Sequence, residues 1–353
     1  MDAIKSAGYN IYFNDNCYSY LAENIQQGDY SKIFILADTN TSRLCLPLFL
    51  PSLVAGVPVE IIEIDAGEEY KTLETCTRVW EALTELGADR RSLLINLGGG
   101  VVTDLGGFVA AAFKRGMDFI NVPTTLLAMV DASVGGKTGV DLGNIKNQVG
   151  VIKNPVAVLI DTAYLDTLPQ QELRSGLAEM LKHGLIADKN YWNNFTSLSG
   201  LTTDDFLPLI HRSVTLKNEI VQQDPYEKNV RRLLNFGHTS GHAIETYFLN
   251  IKKPLLHGEA VAIGMVLEAC LSFEKKLLPA EEYIEIRTVI TSIFDTITFS
   301  AADIEEIIAL MVHDKKNEFG KVNFVLLEKI GKGVINQPVE KELIIRAFDD
   351  YSR

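Results

Sequence analysis

Three of the six histidines in this 353-residue chain occur in two short motifs, HTSGH and LLHGE. His238 and His242 form an HxxxH pair, which places two imidazoles on one face of a helix and can chelate zinc. Glu179, in SGLAEMLKHG, lies on an otherwise apolar helix face, where an unpaired charge would be costly. A glutamate and two histidines would make a catalytic metal site. Spacing alone does not select which two of His238, His242 and His257 join Glu179.

A glycine cluster, GGGVVTDLGGF at 98–108, directly follows an apolar run. Glycines at a strand-to-helix turn let backbone N–H groups approach a phosphate at the helix N-terminus. The cluster does not match GxGxxG, so tight packing of a strand against a helix is the alternative interpretation. Asp104, within the cluster, fits either a ligand contact or a cap of that helix.

A second cluster, VDASVGGKTGVDLGNIKNQVG at 130–150, has glycines at 135, 136, 139 and 143 among many polar residues. Asp131, Lys137, Lys146 and Asn147 belong to it. Lysines beside glycines suit an anionic oxygen, because the backbone can come close while the ammonium neutralises charge. We therefore expect an anion-binding loop here. Lys137-Thr138 lacks the GxxxxGK spacing of a nucleotide-hydrolysing P-loop.

The remaining candidates are basic residues in an acidic chain, whose formal net charge is −13. That balance excludes a general basic face for nucleic acid or anionic lipid and makes local cations more informative. Taken singly, each cation could be a solvated surface charge. These candidates are Lys182, Lys217, Arg231, Lys315 and Lys316.

Composition predicts a globular protein, with 47% hydrophobic and 22% charged residues. The four cysteines are far apart and form no CxxC pair, which is typical of reduced thiols in the cytosol. The first residues, MDAIKSAGYNIYF, lack a signal-peptide pattern, and no stretch is apolar enough to span a membrane. We expect a cytoplasmic protein.

The elements that must position these residues change in character along the chain. Short apolar runs at 32–38, 59–65, 92–100, 118–125 and 156–161 alternate with helical patterns such as 78–89. This alternation predicts an α/β domain with a mainly parallel sheet. After about residue 168 the pattern is helical, with a strand-like exception at 321–327. We predict an α/β domain at 1–168 and an all-helical C-terminal domain at 169–353.

Together, these motifs closely resemble the 3-dehydroquinate synthase family of sugar phosphate cyclases. The segments that carry the resemblance occur in family order, from GEEYK (67–71) to HDKKN (313–317). They include GGGVVTDLGGFVAAAFKRG, NVPTTLLAMVDASVGGKTGVDLGNIKNQVG, SGLAEMLKHGLI, RLLNFGHTSGHAIE and LLHGEAVAIGM. The family fold, a Rossmann-like α/β domain followed by a helical domain, agrees with the division above.

The resemblance implies a role for each candidate residue. Glu179, His238 and His257 would bind zinc or cobalt, and His242 would contact substrate instead. The implied NAD contacts are Asp38, Asn40, Glu68, Lys71, Gly99, Gly100, Val101, Asp104, Thr124, Thr125 and Thr167, with Lys137 and Lys146 between cofactor and substrate. The implied substrate contacts are Asp131, Asn147, Lys182, Lys217, Arg231, Asn235, His242 and one of Lys315 and Lys316. Arg115 matches an arginine that reaches the phosphate in a neighbouring subunit, which implies a homodimer.

The implied reaction converts 3-deoxy-D-arabino-heptulosonate 7-phosphate into 3-dehydroquinate and phosphate, in the shikimate pathway. It would proceed by transient oxidation with NAD, elimination of phosphate, re-reduction, ring opening and aldol closure. Oriented cations at both ends of the substrate suit the charge that develops.

Three alternatives are less consistent with the residues. A polyol dehydrogenase of the same superfamily would generally have aspartate at Glu179. A cyclase for a neutral sugar phosphate would alter the pattern at Lys217, Arg231, Asn235 and His242. A catalytically silent binding protein would be expected to have lost a ligand or a cofactor contact.

Overall fold

The computed structural model describes residues 1–143, 145–196, 203–312 and 322–352, and the chain divides into two compact units, Met1–Leu173 and Arg174–Arg353. Within the described residues, the first unit contains nine strands: β1 (Ile4–Lys5), β2 (Asn10–Phe13), β3 (Ile33–Asp38), β4 (Val59–Ile64), β5 (Leu93–Gly98), β6 (Asp118–Pro123), β7 (Lys137–Leu142), β8 (Ile145–Ile152) and β9 (Ala157–Ile160). Its α-helices are α1 (Asp15–Gln27), α2 (Thr39–Leu44), α3 (Leu46–Phe49), α4 (Leu73–Glu85) and α5 (Gly100–Ala112).

Seven of these strands form one sheet in the order β1-β2-β9-β6-β5-β3-β4, parallel except for the β1–β2 pair. The five predicted apolar runs are β3, β4, β5, β6 and β9, so the predicted parallel sheet is confirmed. Every residue of β5 is buried, as expected of a central strand covered on both faces. Apolar residues of α4 and α5, among them Val79, Leu83 and Leu105, pack with Phe34 and Leu94 in one core cluster.

The second unit is built mainly from helices: α6 (Gln170–Ala187), α7 (Lys189–Trp192), α8 (Thr203–Gln223), α9 (His238–Asn250), α10 (His257–Glu274), α11 (Ala280–Ile293), α12 (Ala301–Val312) and α13 (Lys341–Tyr351). Helix α10 is its centre, because residues 260–272 are all buried. A helix that is apolar on every side is a core helix. Among the described residues, no helix combines the length and apolarity that a membrane span requires.

The predicted helical C-terminal domain is confirmed, with one exception to the expectation that it is all-helical. Strands β10 (Val322–Lys329) and β11 (Lys332–Val339) form an antiparallel hairpin. Strand β10 is the strand-like run noted in the sequence. Its residues Phe324, Leu326 and Leu327 are almost fully buried, which explains why this apolar segment belongs to the core of the unit.

Candidate active site

Two helices of the second unit begin with a candidate metal ligand: His238 is the first residue of α9, and His257 is the first residue of α10. Glu179 lies within α6 and is fully buried. Its Oε1 atom is 3.5 Å from Nε2 of His238 and 3.6 Å from Nε2 of His257. The three side chains therefore converge on one point from three helices.

The protonation of His238 follows from its backbone contact. Nδ1 lies 3.1 Å from the carbonyl oxygen of Phe236, which can only accept, so Nδ1 carries the proton. Burial, together with the charge of Lys182, lowers the pKa of His238 well below 6.5 and keeps the ring neutral. Nε2 therefore presents a lone pair to the carboxylate of Glu179, an arrangement that a cation between them would stabilise.

His257 lies between two carboxylates. Nδ1 is 3.4 Å from Oε2 of Glu245, while Nε2 faces Glu179. Burial alone would lower the pKa of His257, but the neighbouring carboxylates of Glu179 and Glu245 outweigh it and raise the pKa to about 9. A carboxylate that orients a histidine through its second ring nitrogen is the usual support of a metal ligand.

These distances fit a tetrahedral metal ion. Bonds of about 2.0–2.2 Å to nitrogen and oxygen place neighbouring ligand atoms about 3.3–3.6 Å apart. Neither oxygen of Glu179 has a hydrogen-bond partner among the described residues, although Lys182 forms an ion pair with Oε2. Burial would raise the pKa of Glu179, but Lys182 and the two histidines lower it well below 4.5. The carboxylate is thus ionised and available to a cation.

His242 belongs to the same cluster but is more exposed. Its ring centroid is 5.1 Å from that of His238 and 5.7 Å from that of His257, and the nitrogens of all three rings could also surround an ion. The set that includes Glu179 is favoured over the three histidines, because the buried carboxylate of Glu179 faces Nε2 of both His238 and His257. Glu179, His238 and His257 could therefore hold a divalent metal beside an exposed His242.

Other predicted substrate contacts in this unit are held by their own networks. Lys217 and Arg231 are almost completely buried. Arg231 donates to the carbonyl of Pro225 at 2.7 Å, and Asn235 donates to Oε1 of Glu227 at 2.7 Å. Lys182 is buried in its ion pair with Glu179. Lys315 and Lys316 lie outside the described residues.

In the first unit, the predicted NAD contacts gather where parallel strands end. Because these strands are parallel neighbours in one sheet, their carboxyl ends lie along the same edge, the position favoured for nucleotides. Glycines at the start of α5 leave backbone N–H groups at a helix N-terminus, which suits phosphate. Asp38 and Asn40 lie at the end of β3, and Glu68 and Lys71 follow β4. Gly99, Gly100 and Val101 follow β5, Thr124 and Thr125 follow β6, and Thr167 follows β9.

Asp104 does not cap its helix, because it is the fifth residue of α5. Its Oδ2 accepts a 2.6 Å bond from Nζ of Lys71, which also donates to Oδ1 of Asn147 at 2.6 Å. Burial would lower the pKa of Lys71, but Asp104 and Glu68 raise it above 10.5. One buried ammonium therefore joins a predicted NAD contact to a predicted substrate contact.

The second glycine cluster forms a β-hairpin, β7–β8, where the sequence led us to expect an anion-binding loop. Gly139 pairs with Gly150 across the hairpin, where a Cβ on Gly139 would lie 2.6 Å from the carbonyl oxygen of Val149. Lys137 begins β7, and Lys146, near the start of β8, lies 3.3 Å from Glu68. Asp131 precedes the hairpin, in a π-helical turn at Ala128–Ala132 of a kind that often marks functional sites.

Arg115 lies at the opposite edge of the sheet from the predicted NAD contacts. It precedes β6, whereas Thr124 and Thr125 follow that strand, and six residues of strand span about 20 Å. Arg115 and Lys114 have positive φ angles and line a surface pocket with Asp89, Arg90 and Arg91. We call the edge that carries the predicted NAD contacts the nucleotide edge, and Arg115 is not part of it.

Two buried acids that contact His257 or the backbone beside His238 were not predicted from the sequence. Glu245 and Glu268 are buried on helices α9 and α10. Each is a carboxylate in an apolar helical segment, HAIETYF and GMVLEACL. This is the signal that identified Glu179, and it applied equally to them.

Comparison with solved structures defines the class of protein. The 2-deoxy-scyllo-inosose synthase solved with carbaglucose-6-phosphate, NAD+ and Co2+ superimposes with a TM-score of 0.88, at 26% identity over 99% of both chains. The 2-epi-5-epi-valiolone synthase of Streptomyces hygroscopicus, with NAD+ and Zn2+ bound, gives 0.86 at 28% identity over 100% of this chain and 99% of that one. Glycerol dehydrogenase from Schizosaccharomyces pombe gives 0.69 at 15% identity over 99% and 90%, and shares the fold. The class is that of the sugar phosphate cyclases.

Sequence comparison specifies the family within that class. The models of the 3-dehydroquinate synthase N-terminal and C-terminal regions match residues 61–175 and 176–317. The 3-dehydroquinate synthase of Parabacteroides distasonis is 43% identical over 338 residues, covering 94% of this chain and 95% of its own. That of Campylobacter jejuni is 37% identical over 345 residues, covering 96% and 97%. The chain belongs to the 3-dehydroquinate synthase family.

Proposed function

We propose that the chain converts 3-deoxy-D-arabino-heptulosonate 7-phosphate into 3-dehydroquinate and phosphate, in the shikimate pathway, with NAD and a divalent zinc or cobalt ion. One observation carries the proposal: in a chain of this family, the buried carboxylate of Glu179 faces two imidazole nitrogens at 3.5 and 3.6 Å. Residues 1–168 would bind NAD, and residues 169–353 would bind metal and substrate.

Glu179, His238 and His257 hold the metal in this proposal. When bound, the metal polarises substrate hydroxyls as a Lewis acid, and NAD accepts and returns a hydride. Glu245 keeps His257 oriented through Nδ1, and the carbonyl of Phe236 does the same for His238. Lys182 balances the charge of Glu179 and is itself one of the proposed substrate contacts.

The nucleotide edge binds NAD through the helix N-terminus at Gly99–Val101 and through side chains at the neighbouring strand ends. Lys137 and Lys146 stand between cofactor and substrate. The ion pair between Lys71 and Asp104 joins the segment that follows β4 to α5 in this region. The second hydrogen bond of Lys71 orients the side chain of Asn147, a proposed substrate contact.

Buried cations recognise the anionic substrate. Lys217 and Arg231 bind the substrate carboxylate, which neutral sugar phosphates lack, and a planar guanidinium suits a bidentate carboxylate contact. One terminal nitrogen of the Arg231 guanidinium donates to the Pro225 carbonyl, which limits the directions in which the other N–H groups of Arg231 can point. Asp131, Asn147, Lys182, Asn235 and His242 complete the set, with one of Lys315 and Lys316.

We also propose that the enzyme works as a homodimer in the cytoplasm. Arg115 lies at the edge of the sheet away from the proposed NAD contacts, which supports a role in the site of a neighbouring subunit. Cys17, Cys45, Cys76 and Cys270 are all free and buried, as expected of a protein from a reducing compartment.

The sister cyclases and the polyol dehydrogenases are less well supported as alternatives. Identity is 37–43% with the 3-dehydroquinate synthases, against 26–28% with the cyclases described above and 15% with the glycerol dehydrogenase. The chain also has glutamate at position 179, where the dehydrogenases generally have aspartate.

Phosphate release tests the proposal. The enzyme is incubated with 3-deoxy-D-arabino-heptulosonate 7-phosphate, NAD and zinc or cobalt, with an EDTA-treated control. We expect release that depends on metal. Release only from another heptulose phosphate would favour a sister cyclase, and steady NADH accumulation on a polyol would favour a dehydrogenase.

A further inference from the structure

Glu268 is a fully buried carboxylate that belongs to neither the proposed ligands nor the proposed substrate contacts. It lies on α10, eleven residues after His257. Its Oε2 accepts a 2.6 Å hydrogen bond from the backbone N–H of Gly237, and its Oε1 accepts a 3.1 Å bond from that of Ser240. One side chain thus binds the backbone on both sides of His238.

These two bonds do the work of a helix cap. The first N–H groups of a helix have no partner within it, and a residue just before the helix normally supplies one. Helix α9 is preceded by Gly237, which has a φ angle of 79° and no side chain to do so. Glu268 of α10 therefore caps, from another helix, the turn that carries His238.

Close packing of the backbone also holds the start of α9 against α10. A Cβ on Gly237 would lie 2.5 Å from Cγ of Met265 and 3.0 Å from the carbonyl oxygen of Val261, both on α10. A Cβ on Gly264 would overlap the carbonyl oxygen of Gly237. The start of α9 consequently has little freedom to move relative to α10, which itself begins with His257.

We propose that Glu268 is a positioning residue of the metal centre, which sets the separation of His238 and His257 by fastening the first turn of α9 to α10. This inference rests on the proposed function only for its assignment of the two histidines as metal ligands. The cap joins Glu268 to the backbone of Gly237 and Ser240, none of which is a proposed metal ligand, so we expect it to form without metal and to organise the centre in advance.

The direct test is the affinity of metal-stripped protein for zinc, measured by competition with a chromophoric chelator, without NAD or substrate. Glu268→Gln keeps the size of the side chain but offers one N–H an amide donor in place of an acceptor, and Glu268→Ala removes both acceptors. We expect zinc affinity to fall about tenfold in the first variant and about 100-fold in the second. Bound cobalt should also show an altered visible spectrum in Glu268→Gln.

Ser272→Ala is the matched control. Ser272 is buried one turn further along α10, where its hydroxyl donates to the Glu268 carbonyl at 2.6 Å and accepts from the N–H of Leu327 at 2.9 Å. Its loss should lower the melting temperature but leave zinc affinity and the cobalt spectrum unchanged. Zinc affinity within twofold of the parent in Glu268→Gln, or an equal loss in Ser272→Ala, would overturn the proposal.

Hydrogen exchange provides a second measurement, which needs no variant. The amides of Gly237 and Ser240 should be protected in the metal-free parent protein, and protection that arises only with metal would contradict organisation in advance. Both experiments are separable from the proposed function. Failure to release phosphate would reject that function and leave these results standing, whereas a parent protein that binds no metal would reject both.

Discussion

The metal cluster and the nucleotide edge position their functional groups by opposite means. In the cluster of Glu179, His238 and His257, the side chains are held in place by contacts with other groups, such as that of His257 with Glu245. The nucleotide edge uses the ends of parallel strands and the backbone at Gly99 and Gly100, with Asp38 and Asn40 more exposed. A site of the first kind has few tolerable substitutions, whereas one of the second kind depends mainly on the fold. Substitutions in the two regions should therefore differ in size and in kind.

The largest effect is expected from His257→Ala. Losing one of three ligands should abolish metal binding and lower kcat by at least about 1,000-fold, while the fold remains intact. Bound metal, turnover and circular dichroism are the measurements. His242→Ala is the comparison: it should keep the metal, because the proposed set excludes His242. Loss of metal from His242→Ala, with retention in His257→Ala, would reverse the assignment.

Asp104→Asn tests the ion pair between Asp104 and the buried Lys71 at the nucleotide edge. It leaves the ammonium of Lys71 buried without its carboxylate, which should lower the free energy of unfolding by about 3–5 kcal/mol. Urea denaturation measures this. The double variant Lys71→Met/Asp104→Asn should recover much of the loss, because no buried charge remains. A loss below about 1 kcal/mol in the single variant would mean that water stabilises Lys71 instead.

Arg231→Ala should act on substrate binding. Loss of the charged contact to the substrate carboxylate should lower kcat/KM, mainly by raising KM. The loss should correspond to about 2–4 kcal/mol of binding free energy. Arg232→Ala is the matched control, since that neighbouring guanidinium donates to Asn336 instead. Equal kinetic effects in the two variants would show that charge near this turn matters, and not the position of Arg231.

The smallest effect is expected at Asp38, which caps α2 by accepting from the N–H groups of Asn40 and Thr41. Asp38→Ala should lower the free energy of unfolding by about 1 kcal/mol, whereas Asp38→Asn keeps a good cap and should be nearly neutral. Both variants should raise the KM for NAD if the carboxylate binds the cofactor. An unchanged KM in Asp38→Asn would leave this residue with a structural role alone.

Apolar periodicity predicted most of the fold because buried parallel strands are continuous apolar runs. The β7–β8 hairpin escaped prediction because its glycines were interpreted as a ligand loop, and a glycine pair such as Gly139 and Gly150 becomes recognisable only once the cross-strand register is known. Strand β2, only four residues long, gave too short a pattern.

The candidate metal ligands could be named from the sequence, but their spacing did not select which two histidines join Glu179. An HxxxH spacing permits His238 to pair with His242, and only the packing of α6, α9 and α10 places both relevant Nε2 atoms beside Glu179. The partnership of Lys71 with Asp104, 33 residues apart, likewise depends on the fold. The roles proposed for these residues come from the resemblance to the family, and the distances in the structure are consistent with them.

The most direct test of the central claim is nuclear magnetic resonance of the products formed from 3-deoxy-D-arabino-heptulosonate 7-phosphate with zinc and a catalytic amount of NAD. We expect 3-dehydroquinate and phosphate in equal amounts, many turnovers per NAD, and no accumulation of NADH. An uncyclised product, or NADH formed in proportion to substrate consumed, would contradict the assignment.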